Sequence, residues 1–184
     1  MTSPTLRRVS LSLLLLCASS YFDTTRAQTP TPTPQSLPQS PCKSRPEYRQ
    51  FDFWVGEWDV RNPQGQQAGT SSVQLILGDC VVFENWTGAR GAHGKSFNVY
   101  NAAKGKWQQT WVDNFGGVLE LFGEYKDNQM RLTGERKGTD GGVTLQRLTF
   151  TKLADGGVRQ LWDQSTDGGK TWTVAFDGTY VRKK

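Results

Sequence analysis

The 184-residue chain carries a single histidine, His93, and three cysteines. A closed zinc site takes four ligands at close spacing, so this inventory excludes a metal framework. No serine or cysteine nucleophile with a partnering histidine is evident, and no complete catalytic signature stands in the chain. Basic runs with interleaved aromatics are also missing, which argues against nucleic acid. Proline all but vanishes after Pro46, with only Pro63 beyond it, while all twenty glycines lie at or after Gly56. Two compositional regimes therefore meet near residue 46, and from residue 47 onward no segment keeps a helical apolar period over three turns.

What is present at the N-terminus reads as export. Arg7 and Arg8 precede the apolar run Leu11–Cys17, and Thr25-Arg26-Ala27 offers a small-x-small cleavage site, so residues 1–27 are expected to be a signal peptide. The run is too short for a bilayer span, which needs about 20 residues, so no stable membrane insertion is expected. Cys17 follows Leu16 rather than a small residue, which argues against a lipidated cysteine. Residues 28–44, QTPTPTPQSLPQSPCKS, form a Pro/Thr/Gln spacer with nothing to bury. Removing residues 1–27 takes away Arg7, Arg8, Arg26 and Asp23 and leaves 19 basic against 16 acidic side chains, a net +3. The high isoelectric point is thus partly a property of the leader. The expected location is outside the cytoplasm, periplasmic or secreted. Export permits a disulfide between the two remaining cysteines, Cys42 and Cys80, which would tie the start of the domain to the second hairpin; two separate thiols are the alternative.

Residues 45–184 are long enough to bury a core. Period-two alternation places strands near 54–61, 67–77, 80–88, 95–101, 106–114, 118–126, 130–137, 143–153, 158–165 and 170–182, with one short helix at 46–53. Between them stand turn clusters such as Asp127-Asn128, Asp140-Gly141-Gly142 and Asp155-Gly156-Gly157. The expected fold class is all-β: an antiparallel up-and-down β-barrel of about ten strands, which removes the open edges of a meander. A two-sheet β-sandwich is the alternative.

Several motifs support the barrel. Gly56-x-Trp58 on the first strand resembles the Gly-x-Trp element of lipocalins and other calycins, in which the tryptophan closes one barrel end under a basic residue of the last strand; Arg182 is placed to supply it. The segments Phe51 to Val60, Gly78-Asp79-Cys80, Glu84-Asn85-Trp86, Ser96 to Tyr100, Trp107 to Asp113, Arg159 to Trp172 and Phe176 to Tyr180 together resemble an uncharacterised bacterial family of secreted, lipocalin-like (calycin-type) proteins. That resemblance covers residues 42–184 and implies a fold rather than an activity. Ser165-Thr166-Asp167-Gly168-Gly169-Lys170-Thr171-Trp172 resembles the Asp-box of glycan-processing proteins, a hairpin clasp in which the aspartate caps turn N–H groups. Asn85-Trp86-Thr87 matches a glycosylation acceptor, but it sits inside an expected strand.

Alternation also nominates a lining. Trp107, Gln109, Trp111 and Asp113 share one strand face, too aromatic for water and too polar for a plain core. Glu84 aligns with Trp86, Ser96 with Asn98 and Tyr100, Arg147 with Val143 and Leu145, and Arg159 with Leu161 and Asp163. The candidate ligand-binding set is Trp58, Glu84, Trp86, Asn98, Tyr100, Gln109, Trp111, Asp113, Arg147 and Arg159. It is expected to hold a small, partly apolar molecule, with an interior arginine meeting an anionic group. A network of internal salt bridges is the plainer use of the same charges. Two further alternatives are an enzyme using Glu84 or Asp113 beside an arginine, and a structural or partner-binding protein, including a homodimer formed through exposed outer-face aromatics. A haem role for His93 rests on one loop histidine alone; no cofactor is expected.

Overall fold

The computed structural model describes residues 40–184; the expected signal peptide and most of the spacer lie outside the described residues. The alternation resolves into β1 (Gly56–Arg61), β2 (Gln67–Ile76), β3 (Val81–Gly88), β4 (His93–Asn101), β5 (Lys106–Asp113), β6 (Val118–Lys126), β7 (Gln129–Lys137), β8 (Val143–Lys152), β9 (Val158–Ser165) and β10 (Thr173–Arg182). Each strand pairs antiparallel with its neighbour in sequence, and β10 pairs back onto β1 through Trp58↔Arg182 and Val60↔Tyr180. The result is a closed ten-stranded up-and-down barrel without a free edge, and the sandwich alternative is excluded. The turn chemistry is used as its residues require. Asp127 and Asn128 both take positive φ, 52° and 58°, the mirror-image turn whose twist suits a two-residue hairpin. Among the described residues no helix is long and apolar enough to cross a membrane.

Ahead of β1 the chain does not form the single helix expected at 46–53. It makes three separate 3-10 turns, Pro41–Lys43, Pro46–Arg49 and Asp52–Trp54. Pro41 and Pro46 each start a turn, where a missing N–H costs nothing, and the tight path lets successive aromatics drop into the barrel. Phe51 and Trp54 are fully buried. Phe51 stacks on Trp54 at 5.0 Å and meets the edges of Phe150 and Trp107 at 5.1 and 5.7 Å. The Trp58 indole donates to the Trp54 carbonyl at 2.9 Å, and that of Trp107 to Gln50 at 3.0 Å. This segment plugs the end of the barrel that carries the β2–β3, β4–β5, β6–β7 and β8–β9 turns.

The plug is also tied covalently. Cys42, only 2% exposed, is bonded to Cys80 in the β2–β3 turn. Residues 40–44, which the sequence assigns to the spacer, are therefore built onto the barrel. At the same end the Arg182 guanidinium lies 4.5 Å over the Trp58 ring, as the Gly-x-Trp element implies. Gly56 makes this stack fit: it holds φ at 152°, and a Cβ there would stand 2.5 Å from the Arg182 guanidinium.

Replacing Cys42 by serine together with Cys80 should lower the unfolding free energy by about 4 kcal/mol in the chain-entropy picture for two cysteines 38 residues apart. Urea unfolding of the variant beside the oxidised wild type checks this. An unchanged midpoint would show that aromatic packing alone holds the plug.

Candidate functional site

The plug fills one end of the barrel and leaves the other open. Inward side chains change character along the axis. Val73, Val82 and Leu121, the cross-strand partners of Glu84, Asn98 and Gln109, border the polar groups, and Met130, Leu132 and Phe150 form an apolar layer with Phe51 and Trp54 of the plug. Above it comes a polar layer. Gln109 Nε2 donates to Asn98 Oδ1 at 2.7 Å, and Asn98 Nδ2 donates to Ser96 Oγ at 3.0 Å and to the Val82 carbonyl at 2.9 Å. Ser96 Oγ then donates to Glu84 Oε2 at 3.0 Å, while Ser71 Oγ donates to Oε1 at 2.9 Å. Tyr180 Oη lies 3.4 Å from Glu84 Oε1 and 2.6 Å from Gln160 Oε1, so its one proton has two acceptors.

Glu84 is the only charged end of this chain of hydrogen bonds. It is 4% exposed, and no basic side chain pairs with it among the described residues. Burial pushes its carboxyl up to about 7, with the hydroxyls of Ser71, Ser96 and Tyr180 holding it from going higher. The Tyr180 phenol is raised well above its usual range, first by burial and then by Glu84.

Above the polar layer a cavity of about 490 Å³ opens to solvent between the β1–β2, β3–β4 and β5–β6 turns. Glu84, Gln109, Gln160 and Tyr180 face it from below; Trp86, Trp111, Trp162, Leu119, Leu148 and Phe176 supply its walls. Its room comes from glycines on adjacent strands. The Trp111 indole lies over Gly94, where a Cβ would come within 2.2 Å of the ring, and Trp86 lies over Gly69, where the clearance would be 2.8 Å. With no side chain beneath them, the rings lie flat along the wall instead of crossing the lumen. Trp162 is held from behind, its indole donating to Gln146 at 2.8 Å.

Asp113 stands at the rim, where it has a structural task. It accepts from Phe115 N at 3.0 Å, from Gly117 N at 2.8 Å and from the Trp111 indole at 3.2 Å. Its burial works upward on the carboxyl, but these bonds and the nearby Arg136 outweigh it and hold the group below its usual range. Arg90 and Arg136 are the cations that line the cavity.

Of the residues expected from the sequence, Glu84, Trp86, Gln109, Trp111 and Asp113 come together around the cavity. Asn98 lies beneath them in the hydrogen-bonded layer and Trp58 deeper, against the plug. Tyr100 belongs to the closed end, 5.4 Å from the Tyr48 ring. Arg147 and Arg159 are not in the cavity. Both point outward, Arg147 to Asp163 at 3.0 Å and Arg159 to Asp177 at 2.7 Å. The interior arginine that suggested an anionic ligand is therefore absent from the floor, where a carboxyl stands instead. His93 is exposed at the start of β4 and does not line the cavity. Asp167 does clasp its turn, accepting from Thr171 N and Oγ1 and from Ser165 Oγ.

Tyr180, Gln160, Trp162 and Arg136 were missed by the sequence reasoning. Arg136 was within reach, because it continues the inward face of Met130 and Leu132. A scan of the sequence against protein-family models finds no match, and a search of curated proteins finds none either.

Glu84 leaves a thermodynamic signature. A carboxyl whose folded pKa is raised lends stability that is complete below its unfolded value of 4.5 and is lost as the pH climbs through about 7. The gap corresponds to about 3 kcal/mol lost across that window. Glu84→Gln should flatten this dependence, so the stability difference between variant and wild type should shift in the variant's favour between acid and mildly alkaline pH. Chemical denaturation at several pH values measures it, and parallel curves for the two proteins would place the Glu84 titration elsewhere.

Proposed function

We propose that this chain is an exported, lipocalin-like binding protein whose barrel takes a small, partly apolar molecule through its open end. The observation that carries the proposal is the cavity itself. A volume of about 490 Å³ falls within the span of small-molecule sites, roughly 300–1,000 Å³. Its walls are three indoles, Phe176, Leu119 and Leu148, and its floor is a short row of hydrogen-bonding groups, the mixture that orients a ligand while burying most of its surface. The pattern of a closed, plugged end and an open, aromatic one supports a receptacle over a solid core. The Cys42–Cys80 bond supports an oxidising compartment, periplasmic or extracellular.

A second reading has its own observation. Phe97, Val112 and Val118 lie on the outer face of neighbouring strands and are all exposed, with Phe115 at the adjoining rim 76% exposed. This band favours self-association, and sedimentation of the purified protein would report a dimer at micromolar concentration if it forms one.

The binding proposal is tested by tryptophan emission. Trp86, Trp111 and Trp162 line the cavity, so an occupant should quench or shift their fluorescence. A response that saturates with one member of a broad panel of small amphipathic compounds is expected, and silence across the panel counts against binding. Gly94→Ala should weaken the response, because the new methyl would stand 2.2 Å from the Trp111 ring and 2.8 Å from the Val112 carbonyl and so force the ring off the wall; such overpacking costs about 1–3 kcal/mol of stability. A full response in that variant would show that the space beside Trp111 is not the binding space.

A further inference from the structure

The chemistry of the cavity floor narrows the occupant. Glu84 faces the cavity, yet no basic side chain meets it among the described residues. A carboxylate offers about four acceptor sites on its two oxygens. Ser71 and Ser96 fill two of these. Tyr180 fills a third only when it turns its proton away from Gln160, 2.6 Å away. When Glu84 is ionised, at least one acceptor site is therefore left over, and its negative charge has no countercharge among the described residues. A buried carboxylate without a countercharge costs several kcal/mol, and a protein that needs no partner there does better with an apolar or amide side chain.

Glu84 already has two serine hydroxyls and a phenol around it, all three placed to donate to its oxygens. Such donors favour the ionised form. What the site lacks is a positive charge, and Glu84 lines the cavity through which one can approach. The walls suit the same charge, since the faces of Trp86 and Trp111 attract cations as well as apolar surface.

We infer that the occupant is an amine on an aromatic or alicyclic body, its ammonium group donating to Glu84 and its body lying between Trp86, Trp111, Trp162 and Phe176. This rests on the reading of the cavity as a binding site. The surroundings of Glu84 leave it in control of the charge. Ser71 of β2, Ser96 and Asn98 of β4, Gln109 of β5 and Gln160 of β9 do not titrate, and Tyr180 of β10 is neutral throughout the physiological range. The charged groups that line the rest of the cavity are Arg90, Asp113 and Arg136.

The test is calorimetry of the intact, disulfide-bonded protein with three compounds that share a body and differ in head group: naphthylethylamine, naphthylethanol and naphthylpropionate. At about pH 8.5, where Glu84 is ionised and the amine still protonated, the amine should bind about tenfold or more tighter than the alcohol, the worth of one charge-assisted hydrogen bond over a neutral one. The margin should shrink at about pH 5.5, where Glu84 takes up its proton. Glu84→Gln should lose the preference while still binding the alcohol. Should that variant fail to fold, the pH profile of the wild type decides alone, and an amine preference that does not change with pH overturns the inference. Equal binding of the three compounds, a preference for the propionate through the rim arginines, or no binding of the amine also overturns it. In those cases the fluorescence panel separates the two claims: quenching by other compounds leaves a binding cavity of different chemistry, and silence removes the cavity reading as well.

Discussion

The structure depends on how one end of the barrel is stopped. A ten-stranded barrel encloses more space than its own apolar residues fill, and an unfilled lumen forfeits dispersion contacts on every side. Here the N-terminal segment is the filling. Phe51 and Trp54 enter from outside the sheet and complete an aromatic cluster with Trp107, Phe150 and Tyr180. Because they descend from one end only, packing is complete there and stops partway up. The reach of Trp54, whose ring meets Tyr180, thus sets where apolar packing ends and the polar layer of the cavity floor begins.

Where the plug stops, the barrel must change solvent without leaving unpaired polar atoms. It does so by a graded layer in which amide passes hydrogen bonds to hydroxyl and hydroxyl to carboxylate, from Gln109 through Asn98 and Ser96 to Glu84. No buried side-chain polar atom of this layer lacks a partner, whereas the indole N–H of Trp54 in the plug beneath it does. The glycines under Trp86 and Trp111 complement this arrangement: the polar layer sets the depth of the cavity and the flattened indoles set its width.

Strand order and turns were legible in the sequence because they rest on local signals, period-two alternation and turn residues with a required φ; the Trp58–Arg182 stack was expected from the resemblance of Gly56-x-Trp58 to the calycin element. The disulfide was legible as a pairing once only two cysteines remained. The faces of β8 and β9 were not. Alternation tells inside from outside only when the outer face meets water, and here the β9–β10 hairpin covers it. Leu145 packs beside Gly169, and Trp172 lies 4.2 Å from the Arg147 guanidinium. Leu145, Leu161 and Asp163 therefore looked like an inward set, while the truly inward Gln146, Gln160 and Trp162 looked like an ordinary outer face. A wet cavity compounds the error, since it places polar side chains where the usual rule expects apolar ones. The plug was missed as a plug for a different reason: its turns are too short to show any period, and its aromatics find their partners on strands far along the chain.

The antiparallel meander sends its turns to the two ends alternately. The β1–β2, β3–β4, β5–β6, β7–β8 and β9–β10 turns surround the open end, and the other four share the closed end with the plug and the disulfide. Foundation and aperture are thereby separated along the axis. Insertions or substitutions in the five outer turns can reshape the entrance while the aromatic cluster beneath keeps its packing. A change in the shape of the rim therefore carries little penalty for the integrity of the fold, and the five outer turns are the places where new loops could be grafted.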